Sequence, residues 1–201
     1  MTQLNSPVAT VVLVHAAWAD ASSWNKVIPS LQRKGLEVVA AQIPLTSLSD
    51  DAATLRRFLK RVSGPVVLVG HSYGGAVITA AGSGDPNVKA LVYIAAMAPD
   101  KGETVHELLH RAAPHPSAPA LVPDEDGFLW MSAMVAERDR MIAPETQRFM
   151  ADRIGGRVYA MEVDHTPLAS APDGVVAIIT EAVDAVAHDG RSDARRINGC
   201  A

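Results

Sequence analysis

The chain has one cysteine, Cys200, next to its last residue. A single thiol can neither close an intrachain disulfide nor build a cysteine-based metal site, so stability has to come from packing. A charge excess is missing as well: 18 basic residues stand against 22 acidic ones, for a formal net charge of −4, and the two signs are mixed along the chain. Without a basic stripe nothing is arranged to hold a phosphate backbone, and nucleic acid is not an expected partner. Long apolar runs are absent too. The opening stretch MTQLNSPVATVVLVHAAW carries no positively charged segment and no span long enough to cross a bilayer, so the expectation is no membrane association and a cytoplasmic location. What is present is the balance of a globular protein, 201 residues with 48% apolar and 20% charged. Residues 1–201 therefore read as a single domain around one core.

Four short, β-branched, nearly continuous apolar runs stand out, at residues 8–14, 36–41, 66–69 and 88–95. Runs without polar alternation suit strands covered on both faces, as in parallel sheets. Weaker strand candidates follow at 132–136 and 157–163. Segments with helical spacing lie between or after them, at 23–34, 51–62, 74–81, 144–153 and 172–188. Ser22 or Ser23 is placed to cap the first helix and Gly35 to end it, while Pro172 and Asp173 suit the opening turn of the last. Strand and helix alternate, which predicts an α/β fold: an open, mostly parallel sheet of about six strands flanked by helices on both faces. Ligands in such sheets bind at the carboxyl ends of the strands. The stretch 99–130 is the exception. It holds one plausible helix, 103–111, and then prolines at 114, 116, 119 and 123 that forbid a continuous helix. The polar tail 188–201 reads as a frayed end.

The chemistry concentrates in VVLVGHSYGGAV, residues 66–77. Gly70, Ser72 and Gly74 form a G-x-S-x-G pattern between a strand candidate and a helix candidate. Glycines at those offsets permit a turn sharp enough to lift a serine hydroxyl into the open. Because a serine hydroxyl is a weak nucleophile at neutral pH, it needs a base within hydrogen-bond reach and a group that orients the base. Asp139, after 132–136, and His165, after 157–163, both fall at carboxyl ends of strand candidates and would face the same rim as Ser72.

With these motifs the sequence resembles the α/β-hydrolase fold family, and within it the small esterase and hydroxynitrile-lyase-like branch. The resemblance is carried by LVHAAWADASSW, VGHSYGG, AERDRMIAPE and VDHTPLASAP and covers most of the chain. It implies Ser72 as nucleophile, Asp139 as acid and His165 as base. It also implies an oxyanion hole made by the backbone N–H groups of Ala17 and Tyr73, with Ala16 where the family usually has glycine. If position 16 required positive φ, that alanine would bring strain. Trp18 is placed either to wall an acyl pocket or to pack over the first helix, and Trp24 reads as core. Asp100 also follows a strand candidate and is an alternative acid. Asp164, beside His165, reads as a surface residue, and His71 as packing or support for the nucleophile. His106, His110 and His115 show no ligand spacing, so neither a metal nor a cofactor is expected.

In relatives a cap of several helices precedes the acid's strand, whereas here DEDGFLWMSAMVAERD passes from an acidic turn almost directly to that strand. The resemblance thus implies a reduced cap over 99–130 and an exposed, shallow site. The expected function is carboxylic ester hydrolysis through an acyl-enzyme, on small or polymeric esters, in a possible homodimer that covers the apolar rim. Two alternatives stay open: a hydroxynitrile-lyase-like carbon–carbon lyase, for which Lys101 is the one lysine after a strand end, and a non-enzymatic ligand receptor on the same fold.

Overall fold

The computed structural model describes residues 9–113 and 141–198, together with Glu125, with side chains through His188. Four parallel strands form one sheet in the order β2-β1-β3-β4. They are β1 (Thr10–Val14), β2 (Glu37–Ala41), β3 (Val66–His71) and β4 (Val88–Ile94). These correspond to the four strong apolar runs. Of the two weaker candidates, 132–136 lies outside the described residues and 157–163 is not a strand. That second segment is exposed at Val158, Tyr159 and Met161. Its aromatic and charged side chains turn to the last helix instead, where Arg157 and Tyr159 both donate to Glu181. A cavity of about 710 Å³ is lined by both β4 and residues of this segment, and the segment is not paired with the sheet.

The continuous apolar runs are explained by burial on both faces. Val11 and Leu13 of β1 and Val67 and Val69 of β3 pack with Trp24, Leu31, Val175 and Ile179. Their sequence neighbours Val12, Val14, Val66 and Leu68 pack on the opposite face with Leu55, Val77 and Ile78. The two-residue period of a strand sends alternate side chains into two cores, so the interior positions are apolar and the buried polar residues, Thr10 and His71, fall at strand ends. The covering helices are α1 (Ile28–Arg33) and α7 (Pro172–Asn198) on one face, and α2 (Leu48–Leu59) and α3 (Tyr73–Gly82) on the other. A third apolar cluster joins α4 (Val105–Leu109) and α5 (Pro144–Ile154) to the chain leaving β4 through Met97, Leu108, Ile142 and Met150.

Helix boundaries differ from expectation where a cap lies outside the apolar pattern. The first helical segment splits into a 3-10 turn, Ala21–Trp24, and α1. Its cap is Asp20, whose carboxylate accepts from the Ser22 N–H, so the serines at 22 and 23 are inside the turn and do not cap it. Gly35 does end α1, in the left-handed region at φ 79°. Helix α2 starts earlier than expected because Ser47 accepts from the Asp50 N–H. The last helix runs past His188 to Asn198, so most of the segment expected to fray is helical.

From β1 the chain steps to β2 on one side, then crosses back to β3 and β4 on the other. The carboxyl ends of β1 and β3 therefore flank the point where the strand order reverses, the crevice where open α/β sheets place their ligands.

Candidate active site

Ser72 occupies the one-residue junction between β3 and α3, at φ 54° and ψ −121°. A residue with a side chain avoids this region at a cost of about 1–3 kcal/mol, and persists in it only when its surroundings hold it. Here they do. The Ser72 N–H donates to the Ile94 carbonyl, and the Ser72 carbonyl accepts from the N–H groups of both Gly75 and Met97. The flanking glycines are required by space. A Cβ on Gly70 would lie 2.6 Å from the Gly74 carbonyl, and one on Gly74 would lie 2.7 Å from the carbonyl oxygens of Val14 and His15. Strand β3, helix α3 and the loop after β1 can close on one another only where no side chain intervenes.

His165 meets the serine. Its Nε2 lies 2.8 Å from Ser72 Oγ, and the residue is buried, just ahead of the short helix α6 (Pro167–Ser170). With Nε2 accepting from the hydroxyl, the imidazole is within reach to take its proton. Two contacts seat it. His71, also buried, donates from Nε2 to the His165 carbonyl at 2.6 Å, and the two rings lie 5.3 Å apart. Asp164 accepts on Oδ1 from the Thr166 N–H, the Thr166 hydroxyl and the Ser170 hydroxyl, closing the turn after the histidine. His71 thus supports the backbone of His165 from its position beside Ser72, and Asp164 is a half-buried turn-former, not a surface residue.

Asp139 lies outside the described residues. Asp100 is exposed, and its Oδ1 accepts from the neighbouring Lys101 N–H, an arrangement that closes a local turn after β4. Lys101 is exposed in the same turn. The side chains of His106 and His110 are exposed on and just after α4, with ring centroids 4.1 Å apart, and His115 falls outside the described residues.

On the loop after β1, Ala16 is buried, Ala17 half-buried and Trp18 42% exposed at the rim. The left-handed residue of this loop is Trp18, at φ 56°, and Ala16 is not among the positive-φ positions. The alanine therefore brings no backbone strain, and the unusual conformation is taken up two residues later. Trp24 is fully buried in the core, as expected. Tyr73 follows Ser72 as the first residue of α3, with its hydroxyl donating to Asp51 at 2.7 Å. Burial first, and then the hydrogen bond to Asp51, push the Tyr73 hydroxyl well above the usual phenol range, so it stays a donor through the neutral and moderately alkaline range.

Asp51 is a site-region residue that motif reading passes over, and His15, which the motif LVHAAW contains, has partners that it does not show. Asp51 had a visible signal: it sits on the stripe of α2 that buries Ala52, Leu55 and Leu59, a carboxylate on an apolar face. The partner of His15, the Ile43 N–H, had none, because it comes from a different strand end.

A family model described as "Alpha/beta hydrolase family" matches residues 11–134, and the chain belongs to that family. A carbendazim-hydrolysing esterase from Nocardioides sp. (strain SG-4G) is 34% identical over 122 residues, covering 53% of this chain and 50% of the relative. The chain thus spans about half the length of that curated relative. Among solved structures, a pyrethroid hydrolase from Sphingobium faniae JZ-2 superposes with a TM-score of 0.62 at 18% identity, covering 88% of this chain and 98% of that one. Polyneuridine aldehyde esterase gives 0.68 at 17% identity, covering 86% and 98%. These two likenesses establish the fold. Among the described residues no helix is long and apolar enough to cross a membrane.

Proposed function

We propose that this chain is a serine hydrolase that cleaves carboxylic esters through an acyl-enzyme intermediate. The observation that carries the reading is the 2.8 Å approach of His165 Nε2 to the hydroxyl of Ser72 on a strained strand-to-helix junction. The esterase name of a relative 34% identical over 122 residues supports it, as does the family match over residues 11–134, which include Ser72.

In the proposed reaction His165 Nε2 takes the Ser72 proton as Oγ attacks the ester carbonyl. The resulting oxyanion is held by the backbone N–H groups of Ala17 and Tyr73. His165 then returns the proton to the departing alkoxy oxygen, leaving an acyl-serine. Water, deprotonated by the same imidazole, attacks the acyl carbon and releases the acid with Ser72 restored. Asp139 is the proposed partner that fixes the imidazole tautomer and stabilises its cation. Preorganised donors of the oxyanion-hole type are each worth roughly a hundred- to a thousandfold in rate. Trp18, at the rim beside Ala17, is proposed to contact the acyl group. The reduced cap over 99–130 would leave the site open to bulky or polymeric esters.

The test is a series of p-nitrophenyl esters of rising chain length, run beside mandelonitrile, on the parent and on Ser72→Ala. The expected outcome is ester turnover by the parent, no cyanide release, and loss of turnover in the variant by at least about a thousandfold. Ester hydrolysis at the parental rate by Ser72→Ala would overturn the assignment, and cyanide release without ester turnover would replace it with the lyase.

A further inference from the structure

The two expected oxyanion donors come from different loops, Ala17 after β1 and Tyr73 after β3, and a series of hydrogen bonds, part-buried at Asp51 and buried at His15, connects them through the 43–45 loop. Tyr73 donates its hydroxyl to Asp51 Oδ2 at 2.7 Å, and the other oxygen of the same carboxylate, Oδ1, accepts the Leu45 N–H at 2.8 Å. Two residues before Leu45 on the same loop, the Ile43 N–H donates to His15 Nε2 at 3.2 Å. With Nε2 occupied as an acceptor, the proton of His15 is on Nδ1, which donates to the Ala16 carbonyl at 2.9 Å. Asp51 and His15 are both completely buried. The loop that joins them is held in an unusual shape, with Leu45 in the left-handed region at φ 59°.

Two further features make this more than a satisfied core carboxylate. Asp51 has no ion-pair partner among the described residues, so a carboxylate is retained at a fully buried site with two neutral donors and the first turn of α2 to hold it. An apolar residue would fit the surrounding stripe without that cost. The contacts also end at the amide bonds where oxyanion donors must be exact. The Ala16 carbonyl belongs to the same peptide unit as the Ala17 N–H, and Tyr73 is anchored by the tip of its own side chain. A direct contact closes the arrangement, because Gly74 packs its backbone against the carbonyls of Val14 and His15.

We propose that Asp51, through Tyr73 on one side and the 43–45 loop and His15 on the other, is a positioning residue that keeps the two donors of the oxyanion hole in register. The proposal rests on the hydrolase reading of Ser72. Its physical basis is that a preorganised donor loses most of its effect when displaced by a fraction of an ångström, while ground-state binding of substrate hardly changes.

The deciding variant is Tyr73→Phe, which keeps the ring and the backbone N–H and removes only the bond to Asp51. Two readouts are taken. One is kcat and KM on p-nitrophenyl acetate. The other is the rate at which an alkyl fluorophosphonate labels Ser72, scored by intact mass: serine oxygen displaces fluoride at phosphorus while His165 takes the serine proton, so labelling needs no ester turnover. Tyr73→Phe is expected to lower kcat and the labelling rate in parallel by about tenfold with KM within about twofold. Tyr93→Phe, which loses a hydroxyl hydrogen bond to Thr79, is expected to leave both within about twofold. Asp51→Asn, which keeps an acceptor for Leu45 and can reverse the bond to Tyr73, is expected to lose about threefold, and it decides in place of Tyr73→Phe if that variant does not fold. Unchanged kcat and labelling in the deciding variant, or equal losses in Tyr73→Phe and Tyr93→Phe, would overturn the proposal. A parent that is labelled but turns over no ester refutes the esterase reading and leaves the labelling comparison to judge the positioning role. A parent that does neither refutes both.

Discussion

At Gly75 a side chain would begin 2.3 Å from the Met97 carbonyl oxygen and 2.7 Å from the Ala96 Cβ. Neither neighbour can move independently, since the Met97 N–H is bonded to the Ser72 carbonyl that also receives the Gly75 N–H. A single methyl there therefore acts on the backbone of Ser72 itself. Gly75→Ala is expected to lower the unfolding free energy by about 1–3 kcal/mol, the range of an overpacked core, with a matching fall in the urea midpoint at unchanged slope. The triplet of glycines at 70, 74 and 75 thus has one physical cause, close approach of backbones, and only Ser72 among its neighbours pays in dihedral strain. His71 shows how much a residue's role depends on its partner: its position beside the nucleophile is plain in the sequence, while the carbonyl of His165 that it holds is 94 residues away.

Elements are decided by their ends. Helix α4 is only five residues long, and a reciprocal capping box fixes where it starts: Thr104 accepts from the Glu107 N–H, and the Glu107 carboxylate accepts from the Thr104 N–H. That backbone hydrogen bond, and then the one from the Thr104 hydroxyl, hold the Glu107 carboxyl below its usual value. A depressed folded-state pKa means the stabilisation is fully present above the unfolded value of about 4.3 and disappears as pH falls through the folded one. Glu107→Gln is therefore expected to lower the thermal midpoint at pH 7, by a small amount because the group is exposed, and the gap between variant and parent should close as pH falls through the depressed folded value in matched melts. The same dependence on ends explains the displaced start of α2. Periodicity placed it at Asp51, on the apolar stripe, but Ser47 and the Asp50 N–H set it a turn earlier and leave Asp51 inside the helix facing Tyr73.

For the whole molecule, the sheet has one edge that ends at β4 without a strand partner among the described residues. Ile154, Val158, Tyr159 and Met161 are exposed nearby, around the cavity that β4 lines. The proposed homodimer is one way for such apolar surface to leave water. Sedimentation velocity at micromolar concentration is expected to show a dimer, and a monomer across the concentration range would remove the second subunit from the account of the site.

The residues themselves determined the strands and the turn that presents Ser72. Four runs such as Val66–Val69 could be read as doubly covered strands because each position alternates between two cores, and Ser72 was legible because its turn depends on residues within two positions of it. Local chemistry is visible in local sequence. Tertiary structure decided what the turn faces. It placed His165 on Ser72 without the strand expected before it, moved the left-handed residue of the first loop from the suspected Ala16 to Trp18, and made Asp51 a partner of Tyr73. The reason is common to all three: each depends on the distance between segments far apart in the chain, and hydrophobic spacing records which face is buried but not which polar group waits on the other side.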